Sequence, residues 1–290
     1  MKKIRFNIMI ILLVVSSYLY GMNQGTSPIE TKQKEMKTTQ GIWRYSVSGQ
    51  GQQGVLFIHG ANSSKSIWRN QNELTEEGYK HIFIDLLGYG ESDKPESGYT
   101  LANWLQGINA ILEKEQITQT IIVAHSNGVI FAKEYYRTYP DQVSHLILLD
   151  GMLKQMIQPP LLEWMKSTLE RSDYSDFMRA NADRMPVVGL SEEDAEVLKN
   201  DALNTPRRIA QAEFALVSDN ETWQPLSIRC PVTIVHANNP MWDEEYISWL
   251  SIIAPQHQLI EWNDSGHFIP MQYPSRLNQL ITEVVAEDRD

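Results

Sequence analysis

A chain of 290 residues with 42% hydrophobic and 21% charged side chains can bury a full core, which excludes a disordered or fibrous class. The formal net charge of -11 offers no basic stripe able to displace counterions from a phosphate backbone, so nucleic acid is not an expected partner. The length suits one domain carrying an insertion better than two independent domains.

Lys2, Lys3 and Arg5 give a positive start, and Ile8 to Val15 is an unbroken apolar run followed by Ser16, Ser17 and Gly21. This reads as a signal peptide over residues 1–21, with the mature protein periplasmic or extracellular. The competing reading is an uncleaved membrane anchor, because Phe6 to Met22 approaches the roughly 20 residues that span a bilayer, although Asn7, Ser16 and Ser17 dilute it. The one cysteine, Cys230, can form no intramolecular disulfide and reads as a buried structural thiol; none follows the apolar run to take a lipid. Residues 22–40, polar and rich in Thr, Lys and Gln, read as a linker, with folded structure beginning near Gly41.

From there β-rich runs alternate with amphipathic stretches. Strands are predicted at Ile42 to Val47, Val55 to His59, His81 to Asp85, Thr120 to Ala124, His145 to Asp150, Val232 to His236 and Gln258 to Trp262. Helices are predicted near Ser66 to Glu77, Leu101 to Glu115, Asn127 to Tyr139, Glu244 to Ile253 and Pro274 to Val285. The alternation predicts an α/β fold, a mostly parallel central sheet flanked by helices, and several strands are continuously apolar, as strands buried on both faces must be. Residues 152–227 interrupt it with helical patterns and no convincing strand, which predicts a helical cap inserted into a core made of residues 41–151 and 228–290.

Ile121 to Gly128 is an apolar strand turning sharply into a helix, with Ser126 at the turn. Such a turn needs small residues beside the serine, and Ala124 and Gly128 supply them, Ala124 departing mildly from the usual G-x-S-x-G. Upstream, Val55 to Asn62 is a strand entering a His-Gly loop, where Gly60 lets the backbone approach a ligand. The amides of Ala61 and Asn127 are therefore the expected oxyanion donors. His59 reads as a loop-fixing residue, and His81, His125, His145, His236 and His257 as structural, none standing at metal-ligand spacing with another. His267 lies in a glycine-bearing loop after the last predicted strand, and the order Ser then His makes it the expected general base for Ser126.

With these motifs the chain resembles the α/β-hydrolase superfamily over nearly all of Gly41 to Asp290. Asp85-Leu86-Leu87-Gly88-Tyr89-Gly90-Glu91-Ser92 is similar to its D-x-x-G-x-G-x-S loop, and Ser265-Gly266-His267-Phe268 to its S/G-G-H-F segment. The resemblance implies a triad acid after the Val232 to His236 strand, but Asn238 and Asn239 stand there. Two replacements remain: Asp243 a few residues on, or Asp150 at the end of the strand that follows the nucleophile helix, where some members carry the acid. Asp150 is preferred because its strand should lie beside the nucleophile strand; Asp243 has an alternative role as a helix N-cap.

The expected activity is serine-hydrolase cleavage of an ester-like bond in a small, apolar substrate, with no metal or organic cofactor. Serine as nucleophile disfavours the aspartyl-ester chemistry of the related dehalogenases and epoxide hydrolases. A carbon-carbon bond hydrolase, an acyltransferase, or a hydrolase-like binding protein without turnover are the alternatives. Oligomeric state is not legible.

Overall fold

The computed structural model describes residues 31–181, 187, 189–239 and 241–289. The expected export segment lies outside the described residues. Strands β1 (Lys32–Lys37), β2 (Ile42–Gly49), β3 (Gly51–Ile58), β4 (Gly78–Ile84), β5 (Gln119–His125), β6 (Val143–Leu149), β7 (Val232–Ala237) and β8 (His257–Trp262) form one sheet in the order β1-β2-β4-β3-β5-β6-β7-β8. β2 pairs antiparallel with β1 and with β4; from β4 onward every pairing is parallel.

The apolar runs explain the layers. In β3, Val55 and Phe57 point into one cluster and Leu56 and Ile58 into the other, all four fully buried, and Ile121 to Ala124 in β5 divides the same way. Each such side chain contributes roughly 1.5–3 kcal/mol by leaving water. Helices α1 (Leu101–Lys114) and α2 (Gly128–Thr138) cover one face together with α7 (Glu244–Ile253). The helix α9 (Pro274–Asp288) and a 3₁₀ segment (Lys65–Glu73) cover the other. A short helix α8 (Ile269–Gln272) precedes α9.

Two expectations need correction. The linker predicted through Gln40 contains β1, whose six residues pair in register with β2 from Lys32 opposite Val47 to Lys37 opposite Ile42. An edge strand has one solvated side and tolerates lysines that also guard it against further pairing, so its Lys-Gln-Lys-Glu-Met-Lys sequence shows no apolar alternation. The helix predicted over Ser66 to Glu77 is a 3₁₀ segment instead, capped by Ser64, whose Oγ accepts from the Ser66 amide. Ser66, Asn70 and Asn72 offer the backbone competing hydrogen bonds and disfavour a longer α-helix.

Between β6 and β7 the described residues hold α3 (Pro159–Leu169), α4 (Tyr174–Asn181), α5 (Glu192–Asn204), α6 (Arg207–Ser218) and a 3₁₀ turn (Asn220–Trp223), with no strand among them. The described part of the stretch expected as a cap is thus helical. Among the described residues no helix is long and apolar enough to cross a membrane. The chain leaves β3 for β4 on one side and then returns to β5 on the other. The loops after β3 and β5 therefore diverge at a switch point, where a crevice opens at the carboxyl ends of the strands.

Candidate active site

Ser126 sits in that crevice, one residue beyond β5, with φ of 54°, a left-handed conformation uncommon for a residue with a Cβ. Its neighbours hold it there: the Ser126 amide donates to the Leu149 carbonyl at 2.9 Å, and the Val129 amide donates to the Ser126 carbonyl at 3.0 Å as α2 begins. The tightness of the turn explains the small residues around it. A Cβ on Gly128 would stand 2.7 Å from the carbonyl oxygens of Ile58 and His59, and one on Gly60 would stand 2.9 Å from the Ser126 Cβ. Ala124 is fully buried inside β5 and meets this demand without glycine.

The loop after β8 brings His267 against the serine, its Nε2 2.9 Å from the Ser126 Oγ. On the other side of the ring, Nδ1 donates to Asp150 Oδ2 at 2.7 Å. Asp150 also has a positive φ, 46°, just past β6, and its Oδ1 accepts from the Ala237 amide at 3.0 Å and from the Trp242 indole at 2.9 Å. Burial pushes this carboxyl up, but the hydrogen bonds from His267, Ala237 and Trp242 and the His267 charge outweigh it and hold the group below the usual carboxylate range. Of the two acids considered from sequence, Asp243 is placed elsewhere: it caps α7, its Oδ1 accepting from the Tyr246 amide at 2.8 Å.

The loop after β3 places Ala61 beside Ser126 and Asn127 at the rim of a cavity of about 460 Å³. Among the described residues, neither the Ala61 nor the Asn127 amide donates to a backbone carbonyl in a turn, loop or cap. His59 fixes this loop, with Nδ1 donating to the Gly60 carbonyl at 2.8 Å and Nε2 accepting from the Leu86 amide at 3.1 Å. Asp85 braces the next loop by accepting from the Lys65 amide at 2.7 Å and the Glu91 amide at 3.0 Å. Gly90 is obligatory there, since a Cβ would fall 2.4 Å from the Asp85 carboxyl.

His125 has a positional role as well, its Nε2 donating to the His267 carbonyl at 2.7 Å. Burial, with the neighbouring His267 second, pushes it down to about 3. His236 stacks on Trp242 with centroids 4.1 Å apart and rings 9° from parallel, which orients the indole toward Asp150. His81, His145 and His257 face Glu76, Thr233 and the Ala254 carbonyl, away from the serine. Cys230 is half-buried, and burial pushes its thiol up to about 12.

The family model described as the alpha/beta hydrolase fold matches residues 54–182. An uncharacterized protein of Mycobacterium tuberculosis is 31% identical over 118 residues, 40% of this chain and 34% of that protein. The chain thus spans about a third of the length of the first curated relatives it matches. Among solved structures, the esterase EaEST from Exiguobacterium antarcticum superposes with a TM-score of 0.75 at 20% identity, over 88% of this chain and 100% of that one. The epoxide hydrolase CorEH superposes with a TM-score of 0.74 at 17% identity, over 89% of this chain and 99% of that one. The chain has the α/β-hydrolase fold.

In this fold the insertion roofs the serine. Ile157, Leu161, Trp164, Met165, Leu169 and Phe214 form the apolar wall of the cavity, and α3 packs on α6 above it. Leu161 is 45% and Trp164 56% exposed, so the apolar surface continues outward from the cavity. Two polar contributors have no sequence signal: Trp242, which reaches Asp150 from the β7–α7 loop, and Glu213 on α6. Gly151 adds a steric constraint, since a Cβ there would lie 2.4 Å from the Ser126 carbonyl. The Asp-Gly pair after β6 is the one local hint of that constraint.

Proposed function

We propose that this protein is a serine hydrolase cleaving ester-like bonds of a small, apolar acyl substrate through an acyl-enzyme. The observation that carries the reading is the hydrogen-bonded line from Ser126 Oγ through both ring nitrogens of His267 to Asp150, at 2.9 and 2.7 Å. The tautomer follows from the acid. Asp150 accepts from Nδ1, so Nε2 carries the lone pair that takes the Ser126 proton as Oγ attacks the carbonyl carbon. The Ala61 and Asn127 amides receive the developing negative charge, and the imidazolium then gives its proton to the departing alcohol. Water, deprotonated by the same Nε2, attacks the acyl-enzyme and releases the acid, restoring Ser126. Asp150 stays ionised throughout, because its three donors stabilise the charged form.

A fluorophosphonate probe tests the reading directly, since it reacts with an activated serine and not with an ordinary hydroxyl. One adduct on the peptide containing Ser126 is expected. An unlabelled, folded protein would instead favour a hydrolase-like binding protein. The apolar wall sets a further expectation: each methylene that enters the cavity contributes about 0.8 kcal/mol, so kcat/KM for hexanoyl esters exceeds that for acetyl esters by at least about tenfold. Equal or reversed values would contradict an apolar acyl site.

A further inference from the structure

The cavity holds one carboxyl that this mechanism leaves unused. Among the described residues lining it, Asp150 and Glu213 are the acidic ones, and Asp150 is consumed by His267, Ala237 and Trp242. Glu213 projects from α6 and is 6% exposed. Its Oε1 accepts from the Asn127 side chain at 2.8 Å, so the carboxyl stands against the residue next to the nucleophile and beside an expected oxyanion donor. The surrounding wall is mostly aliphatic and aromatic, with Asn62, Thr168, Tyr174 and Asn239 as further polar members.

A carboxylate can accept about four hydrogen bonds, and one placed in a mostly apolar cavity with only the Asn127 side chain and the neighbouring Tyr89 hydroxyl as donors is undersupplied. Burial pushes Glu213 up to about 7, with the neighbouring Tyr89 hydroxyl and Asn127 pulling the other way. A wholly apolar ligand filling the cavity would strip the remaining water from this group and return nothing. A ligand that brings a donor to the same point restores the lost hydrogen bond, and a site built that way discriminates strongly against analogues lacking the donor. A structural latch between α6 and Asn127 would need only one neutral acceptor.

We infer that Glu213 is a specificity-determining residue, selecting acyl substrates that carry a hydrogen-bond donor, an ammonium or a hydroxyl, close to the scissile carbonyl. The inference rests on the serine-hydrolase reading for its reaction but not for its binding. The substrate site then has two parts: an apolar wall for the chain, and one acidic point, held against the side chain of Asn127, for the donor.

The test compares methyl hexanoate, methyl 2-hydroxyhexanoate and methyl 2-aminohexanoate at pH 7 with the wild-type protein and Glu213→Gln. In the wild type, kcat/KM for a donor-bearing ester exceeds that for the plain ester by about tenfold or more. In Glu213→Gln, whose amide nitrogen presents a donor to a donor, that ratio falls at least about tenfold. Because the ratio is taken within one preparation, a misfolded fraction cancels, and a mere latch would change all three esters alike and leave it unmoved. Preference for the amino ester alone identifies an ammonium; preference for both identifies a hydrogen bond that needs no charge. A wild-type ratio near one, or a ratio unchanged by the substitution, overturns the inference while ester turnover itself stands. If no ester is turned over, calorimetric titration of Ser126→Ala with the same three esters decides. Tighter binding of the donor-bearing ones, abolished by adding Glu213→Gln, sustains the inference without the reaction, and equal binding ends it.

Discussion

Ser126→Ala is expected to lower kcat/KM for an activated ester by about 10⁴ or more, with little change in thermal midpoint. The size follows from what is lost and what remains. Removing Oγ abolishes the covalent route, and no other hydroxyl stands within hydrogen-bonding reach of the His267 Nε2 among the described residues. The Ala61 and Asn127 amides and the cavity survive, and they can still polarise a bound carbonyl toward water. The fold is spared because alanine keeps the Cβ, so the left-handed backbone at 54° and the hydrogen bond from the 126 amide to the Leu149 carbonyl are unaffected. Stopped kinetics of ester hydrolysis beside a thermal melt measure both quantities. Retention of most of the activity in a folded variant would remove Ser126 from the mechanism.

The parts of this molecule that were legible in its sequence are those whose physics is local. Ile121 to Ala124 had to be a strand buried on both faces because nothing polar interrupts it, and Ser126 had to sit at a turn because Gly128 follows. The same logic located the turn of His59, Gly60 and Ala61 after β3. β1 escaped because an edge strand takes its hydrogen bonds from β2 and its solubility from lysine, so no apolar alternation announces it. The 3₁₀ segment at Lys65–Glu73 kept a helical apolar stripe, Ile67 and Trp68 being buried, while its serine and asparagines set the tighter winding.

The site was less legible where it is assembled from distant segments. Trp242 and Glu213 carry no motif; each matters only because packing delivers it, the indole to Asp150 and the carboxyl to Asn127. The acid could not be settled from spacing, since Asp150 and Asp243 both follow strands. What separates them is three-dimensional. β6 pairs with β5, so the end of β6 lies beside Ser126, whereas Asp243 lies at the start of α7 with a helix terminus to satisfy. Asn238 stands where an acid was expected, and its main-chain N–H donates to the Ser265 carbonyl at 3.3 Å and so helps hold the histidine loop.

That separation makes a sharp pair of substitutions. Asp150→Asn is expected to cost roughly 10⁴ in kcat, and Asp243→Asn almost nothing. In the first, the Ala237 amide and the Trp242 indole both donate to Oδ1, which fixes the orientation of a residue at 150 that must keep an acceptor there. The asparagine nitrogen then faces His267 Nδ1 across a 2.7 Å contact, donor against donor, unless the ring moves its proton to Nε2. With that proton on Nε2, the ring has no lone pair for Ser126 and cannot act as its base. Charge matters too: the imidazolium formed during attack loses the anion that stabilises it, since Asp150 is the carboxylate held ionised at this ring. At position 243 asparagine caps a helix about as well as aspartate, so the hydrogen bond to the Tyr246 amide persists. Ester kinetics on the two variants at one pH settle it. Equal losses, or a larger one from Asp243→Asn, would move the acid away from Asp150, and no loss from either would mean that Ser126 and His267 act as a dyad.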